Sequence, residues 1–216
     1  MSDGLFITFE GSEACGKTTQ IERLAQRLLE SGRPPVITRE PGGTDAGEAI
    51  RDLLQYSKRG ARLTPEAELL LFTASRAQLV REIIRPALDQ GQVVISDRFL
   101  DSTTVYQGVA RRIDPTQVAT INRFAVGDCL PHLTFLFDLD PEIAANRLTS
   151  RTGGKPDRME SQPREFYQAV RQGYLDLAVT EPKRFVIIDA ANSVEAIAAR
   201  IWEHVVSRLS TPLRTA

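Results

Sequence analysis

The chain has 216 residues, 42% of them hydrophobic and 25% charged, which suits one compact domain burying roughly 70% of its unfolded surface and excludes disordered and fibrous classes. Its 27 Lys and Arg against 28 Asp and Glu leave a formal charge of -1, so no overall cationic field exists to collect nucleic acid or an anionic membrane. Two distant cysteines, Cys15 and Cys129, lack any disulfide or metal spacing, no apolar run nears the roughly 20 residues of a bilayer span, and an early first strand leaves no room for a signal peptide, so the cytoplasm is the expected compartment.

In chain order, a short apolar strand at residues 5–10 precedes an amphipathic helix over 17–31, followed by a strand at 35–38 and helices over 45–55 and 65–90. A strand at 92–97, a helix over 115–127, a strand at 133–138, helices over 141–151 and 163–180, a strand at 185–189 and a last helix over 193–209 complete the pattern. Pro65, Pro115, Pro141 and Pro163 open four of these helices, where a missing N–H costs nothing. Brief runs rich in Val, Ile, Leu and Phe alternating with helices predict a five-stranded parallel sheet covered on both faces, a three-layer α/β/α domain spanning 1–216 with a frayed tail from 210. Trp202 is expected in the core, and His132 and His204 are assigned neither metal nor proton transfer.

The strongest chemical signal is Gly11-Ser12-Glu13-Ala14-Cys15-Gly16-Lys17-Thr18, which fits G-x-x-x-x-G-K-S/T between a strand and a helix. Glycines there let backbone N–H groups converge on phosphate oxygens, Lys17 reaches the β- and γ-phosphates, and Thr18 offers its hydroxyl to Mg²⁺. The helix N-terminus adds a favourable dipole, so Gly11 to Thr19 form the expected ATP cradle in a P-loop NTPase-type fold. The motif establishes nucleotide binding without deciding the fate of the phosphate, because switches, motors and kinases share it. A GTPase is disfavoured by the lack of an Asn-Lys-x-Asp motif after a later strand. Asp97-Arg98 ends the third strand, where ligands gather in doubly wound sheets. An arginine there can clamp a phosphate, and the adjacent Asp97 can hold metal-bound water.

Phe9 to Thr19, Arg39-Glu40-Pro41-Gly42-Gly43-Thr44, and Asp97-Arg98 followed by Ser102 and Tyr106-Gln107-Gly108 together resemble the thymidylate kinase family. The resemblance implies a homodimeric kinase that phosphorylates dTMP with ATP and Mg²⁺. By position it implies that Glu13 binds the acceptor 3′-hydroxyl, Phe72 stacks on thymine, Arg76 bonds a base carbonyl and Arg98 grips the acceptor phosphate. Arg39, Pro41, Ser102, Tyr106 and Gln107 complete the substrate pocket, Tyr106 excluding a ribose 2′-hydroxyl, and the peptide before Pro41 is expected to be cis.

Some relatives place an arginine directly after the acidic residue of the loop, where this chain has Ala14. The catalytic cation is therefore expected from elsewhere, and the segment at about 147–160 resembles the lid that supplies it in the family's other branch, which implies Arg151 first, with Arg147 and Arg158 as alternatives. Cys15, beside Lys17 and a helix N-terminus, is either a tolerated small residue or a reactive thiol. Leu53, Leu54, Leu69, Leu70 and Leu71 offer either a dimer face or internal core. A kinase for another nucleoside monophosphate or a deoxynucleoside, and a nucleotide-sensing module without catalysis, remain the rival functions.

Overall fold

The computed structural model describes residues 4–57, 60–152 and 162–209, with Ala61, Arg151 and Thr152 described by backbone alone. Five strands, β1 (Leu5–Gly11), β2 (Val36–Arg39), β3 (Val93–Asp97), β4 (Leu133–Asp138) and β5 (Phe185–Asp189), form one parallel sheet in the order β2-β3-β1-β4-β5. β1 occupies the centre, with Phe9 opposite Asp97 on one side and Gly11 opposite Phe137 on the other. All seven β1 residues are buried, as expected of a strand paired on both edges and covered on both faces.

The helices are α1 (Lys17–Glu30), α2 (Asp45–Arg51), α3 (Pro65–Leu79), α4 (Arg85–Asp89), α5 (Leu100–Thr103), α6 (Pro115–Val126), α7 (Pro141–Thr152), α8 (Arg164–Thr180) and α9 (Val194–Leu209). Alternation along β1 sorts them into two layers. Leu5, Ile7 and Phe9 pack with Ile21, Leu24 and Leu28 of α1 and with Ile197, Ile201 and Val205 of α9. Phe6, on the opposite face, packs with Leu79, Phe99 and Val126. Trp202 is partly buried against the first of these cores, with the Arg27 guanidinium 4.4 Å from its ring centroid. Among the described residues no helix is long and apolar enough to cross a membrane.

Three helical segments depart from the expected pattern. The helix over 45–55 divides into α2 and a π-helical turn at Asp52–Tyr56. The helix over 65–90 divides into α3, a π-helical turn at Val80–Ile84, and α4. Pro86 explains the second interruption, because its ring lacks the N–H and crowds the carbonyl four residues back, so the preceding turn widens. The third segment, α5 continued by a π-helical run at Thr104–Ala110, was not anticipated at all. Its Asp, Ser, Thr, Val and Gly residues have weak helix propensity, and burial of Val105, Tyr106 and Gln107 overrides that weakness.

Two buried ion pairs tie the layers together: Arg76 of α3 to Glu40 after β2 at 2.6 Å, and Arg184 before β5 to Asp101 of α5 at 2.7 Å. The Arg76 and Glu40 side chains are only 1% and 3% exposed, so removing either one would leave a buried charge and cost about 3–5 kcal/mol.

Candidate active site

The loop that joins β1 to α1 opens at Gly11 with φ 134° and closes at Gly16 with φ 99°. A Cβ at Gly11 would also come within 2.5 Å of the Phe137 carbonyl oxygen, so the tight exit from the central strand requires glycine. Among the described residues, none of the N–H groups from Ser12 to Thr19 donates to a carbonyl or side chain. Lys17 folds back over the loop, its Nζ donating to Ser12 O at 2.8 Å and Gly11 O at 3.3 Å. Ser12 Oγ is buried without a partner. A row of free donors and a buried cation at a helix N-terminus make an anion cradle.

Arg98 faces this cradle from the end of β3. Its φ of 69° is unusual for a residue with a side chain. Its amide donates to Phe9 O at 3.0 Å, which fixes it beside the exit of β1. The guanidinium donates to Glu13 at 2.8 Å and to Ser102 Oγ at 3.2 Å, and lies 5.2 Å from the Tyr106 ring centroid. Tyr106 donates in turn to both oxygens of Glu13, at 3.1 and 3.2 Å. Residues 13–19, Asp97 and Arg98 all line one cleft of about 550 Å³, so the two phosphate-binding elements read from sequence open into a single space.

Most of the expected acceptor residues lie on the same cleft: Arg39, Pro41, Phe72, Ser102, Tyr106 and Gln107. The Glu40–Pro41 peptide is cis, as expected. Arg39 is tied to Glu48 through both carboxylate oxygens at 2.8 and 2.9 Å. Arg76 departs from its expected place. It does not line the cleft, because Glu40, Asn122, Thr103 and Phe99 O absorb its guanidinium behind the wall. Arg151 lies on α7, but its side chain is outside the described residues, as is the part of the expected lid from 153 to 160, including Arg158. Arg147 does reach the cleft while donating to Ala190 O at 3.3 Å.

Arg51, Gln55 and Thr103 also line the cleft and were not foreseen. Arg51 was legible in principle, because it ends the helix that Thr44 caps directly after the Gly42-Gly43 turn. Leu54 and Leu69 are core residues, whereas Leu70 is exposed. Cys15 is buried with a free thiol.

A family model described as thymidylate kinase matches residues 9–201. A thymidylate kinase of Bifidobacterium longum (strain DJO10A) is 48% identical over 200 residues, 92% of this chain and 95% of that protein. One from Deinococcus radiodurans is 45% identical over 208 residues, 96% and 99% of the two chains. The crystal structure of thymidylate kinase from Ehrlichia chaffeensis superposes with a TM-score of 0.75 at 34% identity, covering 94% of this chain and 99% of that one. The chain belongs to the thymidylate kinase family.

Within this family member the cleft fits the nucleotide and metal that such a kinase needs. The unpaired loop amides, Lys17 and the orphaned Ser12 hydroxyl match a polyphosphate. Thr18 and Asp97 line the cleft with no hydrogen bond or ion pair to their side-chain oxygens among the described residues. No group of three or more His, Cys, Asp or Glu able to hold a metal occurs among the described residues. Two hard oxygen side chains completed by water and phosphate suit Mg²⁺, which keeps much of its hydration.

Behind the cleft sits Glu10, buried on the same sheet face as Phe6 and Thr8. Burial, reinforced by the charge of Asp101 and only partly offset by Arg98, pushes its carboxyl up from the usual 4.5 to about 7. The folded chain thus holds this proton more tightly than the unfolded chain. The associated stability is present below pH 4.5 and is lost as pH rises through about 7, a change of about 2–4 kcal/mol. Urea unfolding at a series of pH values should show a shallower decline for Glu10→Gln than for the parent between about pH 5 and 8; parallel curves would remove Glu10 as the source.

Proposed function

We propose that this enzyme transfers the γ-phosphoryl group of ATP to dTMP, giving ADP and dTDP in the supply of dTTP. The observation that carries the reading is the single cleft joining the Lys17 cradle to Arg98, the residue that would hold a second phosphate. Backbone N–H groups of the loop and Lys17 hold the donor phosphates, while Arg98, with Arg51 across the cleft, holds the acceptor phosphate so that its oxygen faces the γ-phosphorus. That oxygen forms the new P–O bond as the bond to the bridging oxygen of ADP breaks. Magnesium bound through Thr18 and Asp97 would neutralise charge on the β- and γ-phosphate oxygens.

Glu13 holds a fixed orientation between Arg98 and Tyr106, beside the acceptor sugar in this reading, with its carboxylate accepting the 3′-hydroxyl. Phe72 supplies an apolar face for thymine, and Pro41, Gln107 and Arg39 complete the pocket. Arg76 acts on the base from behind the wall by fixing Glu40 and Thr103. Arg151 supplies the cation that meets charge developing on the transferred group, in a site closed to water. We infer that the enzyme works in the cytoplasm on free nucleotides, without nucleic-acid or membrane partners, a reading supported by its nearly balanced charge.

Exposed Tyr56, in the π-helical turn that continues α2, Leu70 of α3 and Phe124 of α6, the last 83% exposed, sit on elements of which α3 packs against both α2 and α6. A second copy of the chain is the occupant proposed for this surface, and sedimentation velocity should return a dimer that Phe124→Glu weakens; a parent that sediments as a monomer rejects it.

An assay coupled to ADP release, run with ATP and Mg²⁺ across the natural monophosphates, should give highest kcat/KM with dTMP. In the same assay Arg151→Ala should lower kcat about 10³-fold with nucleotide KM values little changed. Preference for another monophosphate, or Arg151→Ala turning over within a few-fold of the parent, would refute the respective assignment.

A further inference from the structure

Glu10 is fully buried, does not line the cleft, and has no part in the transfer as described above. Its surroundings nevertheless converge on Arg98. One carboxylate oxygen accepts the Phe99 N–H at 2.8 Å, directly after the left-handed Arg98 backbone. The other accepts from Ser102 Oγ at 2.7 Å and from Tyr174 OH at 2.8 Å. The same two hydroxyl oxygens are what the Arg98 guanidinium meets, at 3.2 and 3.4 Å.

We propose that Glu10 is the positioning residue for Arg98: by taking both hydroxyl protons, it leaves Ser102 and Tyr174 presenting only lone pairs to the guanidinium and so aims that group at the acceptor phosphate. The inference rests on the reading of Arg98 as the arginine that grips this phosphate. Each hydroxyl carries a single proton, and an ionised carboxylate can only accept. Once Ser102 and Tyr174 have donated to Glu10, the proton polarity of the relay is set, and a cationic donor is the complement that it fits. A neutral side chain at position 10 brings a donor into the cluster. One hydroxyl proton must then turn away from Glu10, toward its neighbour or toward Arg98, and the arginine loses an acceptor.

The groups that bear on Glu10 come from every element around it. Arg98 after β3 favours its charged form, as do the Ser102 and Tyr174 hydroxyls from α5 and α8, while Asp101 of α5, itself paired with Arg184 before β5, opposes it. Burial and the neighbouring Glu10 charge keep the Tyr174 phenol well above its usual range, so it retains the proton that it donates. With the Glu10 carboxyl itself raised to about 7, the relay would be assembled above neutrality and disassembled below it.

The test is steady-state kinetics of Glu10→Gln, Glu10→Asp and Tyr174→Phe from pH 6 to 9, with dTMP varied at saturating ATP and Mg²⁺, alongside the ATP KM and the thermal midpoint of each variant. Glu10→Gln should lower kcat/KM for dTMP about ten-fold or more at pH 8, the loss of one charge-assisted hydrogen bond, with ATP KM little changed. Glu10→Asp, which keeps the charge, should recover part of it. The ratio of parent to Glu10→Gln values should rise with pH through about 7 and then level, the ionisation of the substrate phosphate cancelling in that ratio. A ratio near one, or one that is constant with pH, overturns the proposal. If Glu10→Gln does not fold, Tyr174→Phe decides: reduced kcat/KM for dTMP with an unchanged ATP KM supports the relay, and parental kcat/KM for dTMP overturns it. A parent inactive on dTMP but active on another monophosphate refutes the substrate assignment alone, and the series is then read on that acceptor.

Discussion

The parallel pairing of β1 with β3 places Phe9 beside Asp97, and everything chemical in this protein follows from what leaves the ends of those two strands. One chain exits through Gly11 into the phosphate loop, the other through Asp97 into Arg98. The Arg98 amide is bonded back to Phe9 O at 3.0 Å, and the side chain reaches Glu13, 85 positions away in sequence, at 2.8 Å. A slip of one residue in this register would turn alternate side chains to the wrong face and part the two phosphate sites. The carboxyl ends of adjacent central strands are where an open α/β sheet leaves a crevice. Here the crevice holds a cation and free amides on one wall and a second cation on the other.

The two faces of the sheet divide the labour between stability and chemistry. Toward α1 and α9 the strands present Ile7, Phe9, Phe135 and Phe137, a continuous apolar layer in which Phe9 lies 5.4 and 5.8 Å from the Phe135 and Phe137 ring centroids. Toward the acceptor side they present Thr8, Glu10, Ser96 and Thr134, all fully buried. Such polar groups are tolerated because each finds partners: Thr8 and Thr134 bond each other, Ser96 bonds Arg98 O, and Glu10 is bonded three times. Glu40, Glu68 and Asp101 extend this polar stratum, matched by Arg76, Gln107 and Arg184. The acceptor wall is thus held by hydrogen bonds as well as by the apolar packing of Phe6, Leu79 and Phe99, which suits a surface that must hold arginines at fixed angles.

How much of this could be read beforehand depended on whether a local pattern or a tertiary contact decided it. The five strands and the Lys17 loop were legible because short apolar runs and a fixed glycine spacing are local signals. The helical run from Leu100 through Ala110 was not, since its polar and β-branched residues are weak helix formers held in place by burial of Val105 and Tyr106. The turn before Pro86 was partly legible from the proline, although its π-helical form was not. At the site, Arg98 and Tyr106 sit on the cleft as expected, whereas Arg76 lies behind it because three separate segments, at Glu40, Phe99 to Thr103 and Asn122, supply its partners. Glu10 escaped notice for a related reason. An acidic residue ending an apolar strand is visible in sequence, but the hydroxyls that give it meaning come from α5 and α8.

The central claim is that donor and acceptor phosphates occupy one cleft with their reacting atoms facing each other. Calorimetric titration with adenosine joined 5′-to-5′ to thymidine through a run of phosphates addresses it most directly, because only a continuous cleft can accept both ends of such a molecule. One molecule should bind per chain, more tightly than ATP or dTMP alone, with both substrates barred from binding afterwards. Simultaneous binding of the joined molecule and either free substrate would contradict it.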